Sequence, residues 1–324
     1  MTAKTPQQSL VTVFGGSGFV GRHVVRALAK RGYRVRAAVR RPDLAGHLQP
    51  MGSVGQIHAV QANLRYPDSV AKAVEGADAV VNLVGILYES GRQTFSAVHA
   101  FGAGAVAEAA AKAGVARLVH VSSLGADDGS PSDYARTKAA AEKAVLGEFP
   151  DAVIFRPSVI FGPEDNFFNQ FAAIARLSPV MPLFGGGETK FEPVFVGDVA
   201  EAIARAVDGK VQGGRTYELG GPEVMTLRDI FAFVAKTTGR TRLLLPVPMF
   251  AAKFKAAFLQ LLPKPLLTVD QVRQLGIDNI VGEAAKAEGR TLAGLGIQPK
   301  TVESIVPAYL HRFRKTGEFE TTIA

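Results

Sequence analysis

Tyr134 and Lys138 stand four residues apart in Tyr134-Ala135-Arg136-Thr137-Lys138, so a helix here puts a phenol and an ammonium on one face. In that geometry the lysine can hold a cofactor ribose and lower the phenol's pKa, letting the tyrosine give up a proton. Just upstream, His120-Val121-Ser122-Ser123 supplies hydroxyls, of which Ser123 is the one suited to orient a carbonyl substrate. Spacing alone does not distinguish this pair from an ordinary exposed helix pair. Its position after a fifth strand favours the site.

A second group of residues suits phosphate. Gly15-Gly16-Ser17-Gly18-Phe19-Val20-Gly21 follows an apolar strand and opens a helix. Glycines there let the backbone turn tightly and approach a pyrophosphate, whose charge the amides at the helix N-terminus stabilise. The competing reading is a turn kept only for helix packing. The next strand ends Val39-Arg40-Arg41, where an NAD-specific site places a carboxylate against the adenosine ribose. Two guanidiniums in that place favour a 2′-phosphate, hence NADPH over NAD, with Arg40 the nearer contact. The alternatives are that both arginines face solvent and that Asp43 caps the next helix.

The elements that must position these groups alternate. Leu10–Phe14, Arg34–Val39, Gln56–Gln61, Ala79–Leu83, Arg117–Val121 and Ala152–Phe155 read as strands, and Phe19–Arg31, Ala100–Ala113 and Tyr134–Leu146 as helices. That order predicts an α/β, Rossmann-like, doubly wound parallel sheet. Beyond it come a Pro- and Gly-rich stretch over 178–187, a strand over Phe191–Phe195, a helix after Asp198 and a strand–helix pair over 215–237. The expected division is a tail (1–9), a Rossmann domain (10–177), a smaller α/β lobe interleaved with it (178–242) and a helical, basic C-terminal region (243–324).

Composition narrows the chemistry. The chain has 324 residues, 47% of them hydrophobic, enough for a large core, and no cysteine, which rules out disulfides and thiolate metal or redox sites. Its six histidines (23, 47, 58, 99, 120 and 311) lack metal-ligand spacing, so no metal site is expected; His120 reads as a core or cofactor-side residue. The net charge of +8 favours anionic partners, yet no nucleic-acid module is present and none is expected to bind. The polar start Met1–Ser9 does not resemble a secretory signal, and no apolar run reaches the ~18 to 20 residues of a membrane span, so a cytoplasmic or equivalent compartment is expected.

The glycine turn, Ser122-Ser123, Tyr134–Lys138 and Arg156-Pro157-Ser158 together resemble the extended or atypical short-chain dehydrogenase/reductase superfamily over about Val11–Gly221. The resemblance implies a nicotinamide near Tyr134 and the Pro157, Ser158 and Ile160 turn. It also implies that Asn63 and Leu64 lie near the adenine, and that Leu83, Val84 and Gly85 line the cofactor groove. A narrower resemblance rests on Arg156–Asn169, on Phe191-Glu192-Pro193-Val194-Phe195-Val196-Gly197-Asp198-Val199-Ala200, on Leu245-Pro246-Val247-Pro248 and on Leu292–Pro299. These are similar to the NADPH-binding accessory subunits of respiratory complex I in their bacterial form. That family implies a dinucleotide held without turnover, other complex I subunits as partners, and a peripheral place on the cytoplasmic face of the inner membrane, where peripheral and membrane arms join. The alternative is a free-standing NADPH-dependent reductase or epimerase acting on a carbonyl or quinone-biosynthetic substrate. A sugar nucleotide is disfavoured, because the 124–133 loop is short and Arg176 and Lys190 stand nearly alone as basic residues of the lobe.

Between Pro248 and Pro263, Phe250, Phe254 and Phe258 recur at helical spacing and, with Ala257 and Leu261, form an apolar stripe bordered by Lys253 and Lys255. Lysine stems at such borders can snorkel toward headgroups while the rings enter a membrane surface. The competing reading packs the three rings on the protein's own core. A basic run at Leu310–Lys315 adds charge nearby.

Overall fold

The computed structural model describes residues 4–260, 262, 265 and 267–314. Residues 1–3, Leu261, Pro263 and Lys315 of the segments named above lie outside the described residues. The described chain forms two compact units: 4–157 with 197–219 and 283–297, and 158–196 with 220–282 and 298–314.

The first unit is built on β1 (Leu10–Phe14), α1 (Phe19–Lys30), β2 (Arg34–Val39), β3 (Ile57–Gln61), α2 (Pro67–Val74), β4 (Ala79–Asn82), α3 (Gly102–Lys112), β5 (Arg117–Val121), α4 (Asp133–Glu148) and β6 (Val153–Pro157). With Thr216–Leu219 the strands make one sheet in the order 216–219, β6, β5, β4, β1, β2, β3. Every neighbouring pair is parallel. Adjacent residues Val80 and Val81, which face opposite sides of the sheet, are both fully buried, as a sheet covered on both faces requires. One face meets α2, α3 and α4 through Phe14, Val80, Leu118, Val106 and Val145. The strand order reverses between β1 and β4, so the loops after these two strands flank the crevice in which such folds bind ligands.

Helix α3 begins differently from its sequence pattern. The chain enters it through one wide i→i+5 turn, Ser96–Phe101, placing the helical segment's start upstream of Ala100. Gly102 at the junction is required by packing, because a Cβ there would lie 2.9 Å from Leu64 Cβ.

In the second unit, Phe161, Phe168, Met181, Leu183, Phe231 and Leu310 belong to one apolar core. Asp165 within the 156–169 motif is buried and receives the amides of Gly162, Phe167 and Asn169 and the hydroxyl of Tyr309 at 2.6 Å. A carboxylate so supplied with donors orders the loop leading into the Phe168–Leu177 helix. The expected strand Phe191–Phe195 is instead two short ones. Lys190–Phe191 pairs antiparallel with Met225–Thr226, and Val194–Phe195 pairs parallel with Ile160–Phe161. Pro193, lacking an amide hydrogen, stands at the break.

The stretch over 178–187 also holds more order than its composition implied. Val180–Phe184 pairs in parallel with Leu243–Val247, setting Pro182 opposite Leu245 and Pro246 opposite Leu183. A two-stranded sheet leaves half the amide positions of each strand on an open edge, where proline removes no ladder bond. Downstream, the Met249–Leu259 helix turns Ala252 and Ala256 inward against Val272, and leaves Phe250, Phe254 and Phe258 at 76%, 69% and 62% exposure. The reading that packs these rings on the protein's own core is therefore overturned: small alanines make the inner face. Among the described residues no helix is long and apolar enough to cross a membrane.

Candidate dinucleotide site

The glycine turn after β1 has the conformation that phosphate binding needs. Gly15 takes φ +79°, a left-handed value that favours glycine, and its carbonyl accepts the Gly18 amide at 3.0 Å. Gly21 in the first turn of α1 packs so closely that a Cβ would lie 2.1 Å from Gly15 O. Gly18 caps α1 with extended backbone, and the first turn of that helix carries no acidic residue. Its free amides are therefore open to an anion without competition. Ser17, Phe19 and Val20 complete the turn and stay partly accessible. Gly15 lies so near the loop after β4 that a Cβ on it would meet Val84 Cγ2 at 3.4 Å.

At the end of β2 the two arginines part company. Arg41 is tied to Asp43 across an exposed ion pair at 2.7 Å, so Asp43 holds that guanidinium and makes no helix cap. Arg40 is exposed, and its guanidinium reaches Gln93. Beyond β3, Asn63 takes the Arg65 amide on its side chain, and Leu64 is buried in the sheet's core, leaving backbone as what residue 64 can offer a ligand. Beyond β4, Leu83 and Val84 are half-buried and Gly85 is exposed.

Helix α4 is capped by Ser132, whose hydroxyl accepts the Ala135 amide, and is fixed to β6 by the buried Glu142, which takes a bidentate bond from Arg156 at 2.8 and 2.6 Å. This brings Tyr134 and Lys138 to the C-terminal ends of β4 and β5. Lys138 Nζ donates to Val121 O at 3.1 Å and stands 5.9 Å from the Tyr134 ring centre. Burial pushes the Lys138 ammonium down to about 8, against the pull of Glu142. The phenol of Tyr134 behaves differently from the sequence expectation: burial raises its pKa, and the opposing influence is the nearby Ser123 rather than Lys138. Desolvation outweighs the charge one turn away.

Two histidines that spacing did not single out as a pair close the site. His99, on the wide turn before α3, accepts the Ile86 amide at Nε2 (3.0 Å), meets Thr137 Oγ1 at Nδ1 (3.1 Å) and packs edge-on against Tyr134, ring centres 5.3 Å apart. His120 on β5 meets Asn82 Nδ2 through Nδ1 at 3.3 Å. Asn82 Oδ1 accepts the Val84 amide, so its nitrogen donates and the His120 proton sits on Nε2. That Nε2 and the hydroxyl of Ser122 are buried with no hydrogen-bond partner among the described residues. Ser123 Oγ is likewise buried without a partner among those residues, and polar groups so left at the C-terminal end of β5 fit a polar, oxygen-rich ligand such as a dinucleotide. No sequence periodicity marks His99, because it reaches Tyr134 through tertiary packing.

Pro157, Ser158 and Ile160 fall where the chain leaves the first unit. Pro157 O accepts the Leu124 amide; Ser158 spends its hydroxyl on Asn279, with 2.8 Å to Oδ1; and Ile160 pairs with Val194.

The chain belongs to the NAD dependent epimerase/dehydratase family, whose model matches residues 11–220. Within it, the chain is 34% identical, over 97% of its own length and 81% of the relative's, to the mitochondrial NADH dehydrogenase (ubiquinone) 1 alpha subcomplex subunit 9 of Arabidopsis thaliana, and is a member of that subunit's family. It is also 37% identical to the ceramide reductase of Caulobacter vibrioides, over 55% of each chain. Among solved structures, the NADPH-dependent quinone oxidoreductase QOR2 of Escherichia coli, complexed with NADPH, shares the fold with a TM-score of 0.71, at 22% identity over 93% of this chain and 99% of that one.

The buried histidines set an acid limit. Burial first, then the Lys138 charge, holds both His99 and His120 near 3. In the unfolded chain each titrates at about 6.5. Between those values the unfolded state binds more protons, so stability is lost as pH falls from about 6.5 toward 3. Thermal melts across that window should show a steep drop in Tm for the wild type and a shallower one for His120→Phe. Parallel slopes for the two proteins would disprove the assignment.

Proposed function

We propose that this chain is a dinucleotide-holding accessory subunit of an NADH:ubiquinone oxidoreductase, the bacterial counterpart of the alpha subcomplex subunit 9, and that it carries NADPH without turnover. The observation that carries the reading is likeness to that subunit over 97% of the chain, well beyond the part the dinucleotide-binding family matches. The residues that would hold the nucleotide are Gly15–Gly21 at the pyrophosphate, Arg40 and Arg41 at the 2′-phosphate, Asn63 and Leu64 at the adenine, and Leu83–Gly85, Ser122, Tyr134, Lys138, Pro157, Ser158 and Ile160 along the groove and the nicotinamide end. A nucleotide bound only by the folded state stabilises it by about 4 kcal/mol when present at a thousandfold excess over Kd. Its partners are the other subunits of that complex. Its place is peripheral, on the cytoplasmic face of the inner membrane.

A second reading, a free-standing reductase of a carbonyl or quinone-biosynthetic compound, is supported by one observation: Lys138 Nζ stands 5.9 Å from the Tyr134 ring centre, with Ser123 near enough to act on the phenol. When bound, a reduced dinucleotide supplies hydride. Tyr134 would then give its proton to the substrate oxygen, with Ser123 orienting that oxygen and Lys138 keeping positive charge beside the phenol.

Tyr134→Phe separates the two. Under the structural reading, membranes from cells carrying the variant keep normal NADH oxidation, and the variant still co-purifies with the quinone reductase and its NADPH. Loss of a small-molecule reduction with assembly intact would overturn it.

Arg41 shares its charge with Asp43 across an exposed pair, so of the two arginines Arg40 is the sharper test of cofactor preference. Arg40→Ala is expected to weaken NADPH binding about tenfold or more, the worth of one charge-assisted bond, and to leave NADH binding nearly unchanged. Equal losses for both nucleotides in titrations would remove the preference for NADPH.

The exposed rings of the Met249–Leu259 helix, with Lys253 and Lys255 exposed beside them and no acidic residue between Asp229 and Asp270, support contact with an anionic membrane surface. Replacing Phe250, Phe254 and Phe258 by serine should abolish flotation with vesicles containing an anionic phospholipid. Undiminished flotation of this variant would rule the helix out as the contact.

A further inference from the structure

His99 joins three pieces of the first unit that the sequence keeps apart. Through Nε2 it receives the amide of Ile86, in the loop after β4. An imidazole nitrogen that accepts carries no proton, so the neutral ring holds its hydrogen on Nδ1 and donates it to Thr137 Oγ1 in α4. The hydroxyl can accept, because its own hydrogen has carbonyl acceptors at Asp133 and Tyr134, at 2.9 and 3.0 Å. Meanwhile the ring stacks on Phe95 at 5.4 Å and stands perpendicular to Tyr134. Phe95 also packs edge-on against Tyr134, so the phenol ring is held by two neighbours. The loop that receives this anchor runs directly over Lys138: a Cβ on Gly85 would lie 3.4 Å from Lys138 Nζ and 3.8 Å from His99 Nε2.

The backbone beneath His99 is itself unusual. The wide turn Ser96–Phe101 is a π-helical segment, an arrangement that is rare and concentrated at functional sites because it redirects one side chain out of α-helical register. Here the redirected residue is buried, 2% exposed, between the groove loop and the tyrosine.

We propose that His99 is a positioning residue for the dinucleotide site, locking the Leu83–Ile86 loop to Tyr134 and α4 so that the groove and the phenol are set before nucleotide binds. The proposal rests on the dinucleotide reading above and adds a residue to it. A preset groove binds more tightly and releases more slowly than one that must be ordered by its ligand. The anchor therefore belongs to the retention of the nucleotide rather than to the folding of the sheet.

The test uses the full chain loaded with NADPH and follows release by the loss of nucleotide fluorescence on dilution into excess unlabelled NADP. His99→Leu keeps an apolar body of similar bulk and loses both hydrogen bonds. His99→Gln restores an amide oxygen for Ile86 and an amide donor for Thr137. Release is expected to speed up about tenfold in the leucine variant, the effect of roughly one lost hydrogen bond, and to return to within about threefold of wild type with glutamine. Thr137→Val removes only the Nδ1 partner and guards against a leucine variant that does not fold; it should accelerate release by a smaller factor. Unchanged release in His99→Leu, or in Thr137→Val where the former is insoluble, would overturn the proposal even if melting temperatures fall. A wild-type protein that retains no dinucleotide would instead refute the reading on which the proposal stands, and the proposal with it.

Discussion

The contact on which the first unit depends is the approach of α1 to the backbone of the turn before it. Only hydrogen at Gly21 lets the helix lie against Gly15 and Gly16, and a methyl group would be driven into the Gly15 carbonyl. That approach aims the free amides of α1 across the crevice between β1 and β4. It also lets Gly15 meet Val84, so the first and fourth strands deliver their loops to the same place. The glycine turn and the loop after β4, two of the segments proposed to hold a dinucleotide, meet at that junction.

On the far side of the crevice, chemistry depends on desolvation more than on charge pairing. Lys138 is buried with a backbone carbonyl for a partner, and its ammonium is weakened by the loss of water. Both nearby histidines are kept neutral for the same reason. The result is a site with one marginal positive charge, neutral imidazoles and hydroxyls, and a phenol that burial keeps protonated. Such a lining suits the sugars and amide of a nucleotide and donates hydrogen bonds without strong fields. Holding a cofactor and reducing a carbonyl both use it, which is why geometry alone leaves the two readings adjacent and the kinship of the whole chain separates them.

Much of the first unit was legible because its signals are local. β1, β2 and β5 have the bounds their apolar runs imply, and Gly15–Gly21 and Tyr134–Lys138 are contiguous motifs tied to single turns. What was not legible arises from contacts distant in sequence. His99 has no periodic mark, and its role comes from Ile86, Phe95 and Thr137 meeting in space. Raising of the Tyr134 pKa is a burial effect that residue spacing cannot weigh. In the second unit, the strand pair that holds Pro182 and Pro246 fell in a Pro- and Gly-rich stretch and at the start of an expected helical region, and Pro193 split what looked like one strand. The alternatives for the Phe250, Phe254 and Phe258 stripe were open in the sequence because helical spacing does not say which face turns inward; the buried alanines do.

The same two prolines have a consequence for solubility. The pair formed by Val180–Phe184 and Leu243–Val247 has two open edges, and it displays Leu243 and Leu245 at 64% and 49% exposure. A bare edge bearing apolar side chains is a template for another chain to add a strand and begin a fibre. Proline within each strand interrupts the row of amide donors that such a newcomer would need. The unit can thus expose Leu243, Leu245 and the rings of the Met249–Leu259 helix while each strand of this pair carries a proline against β-polymerisation.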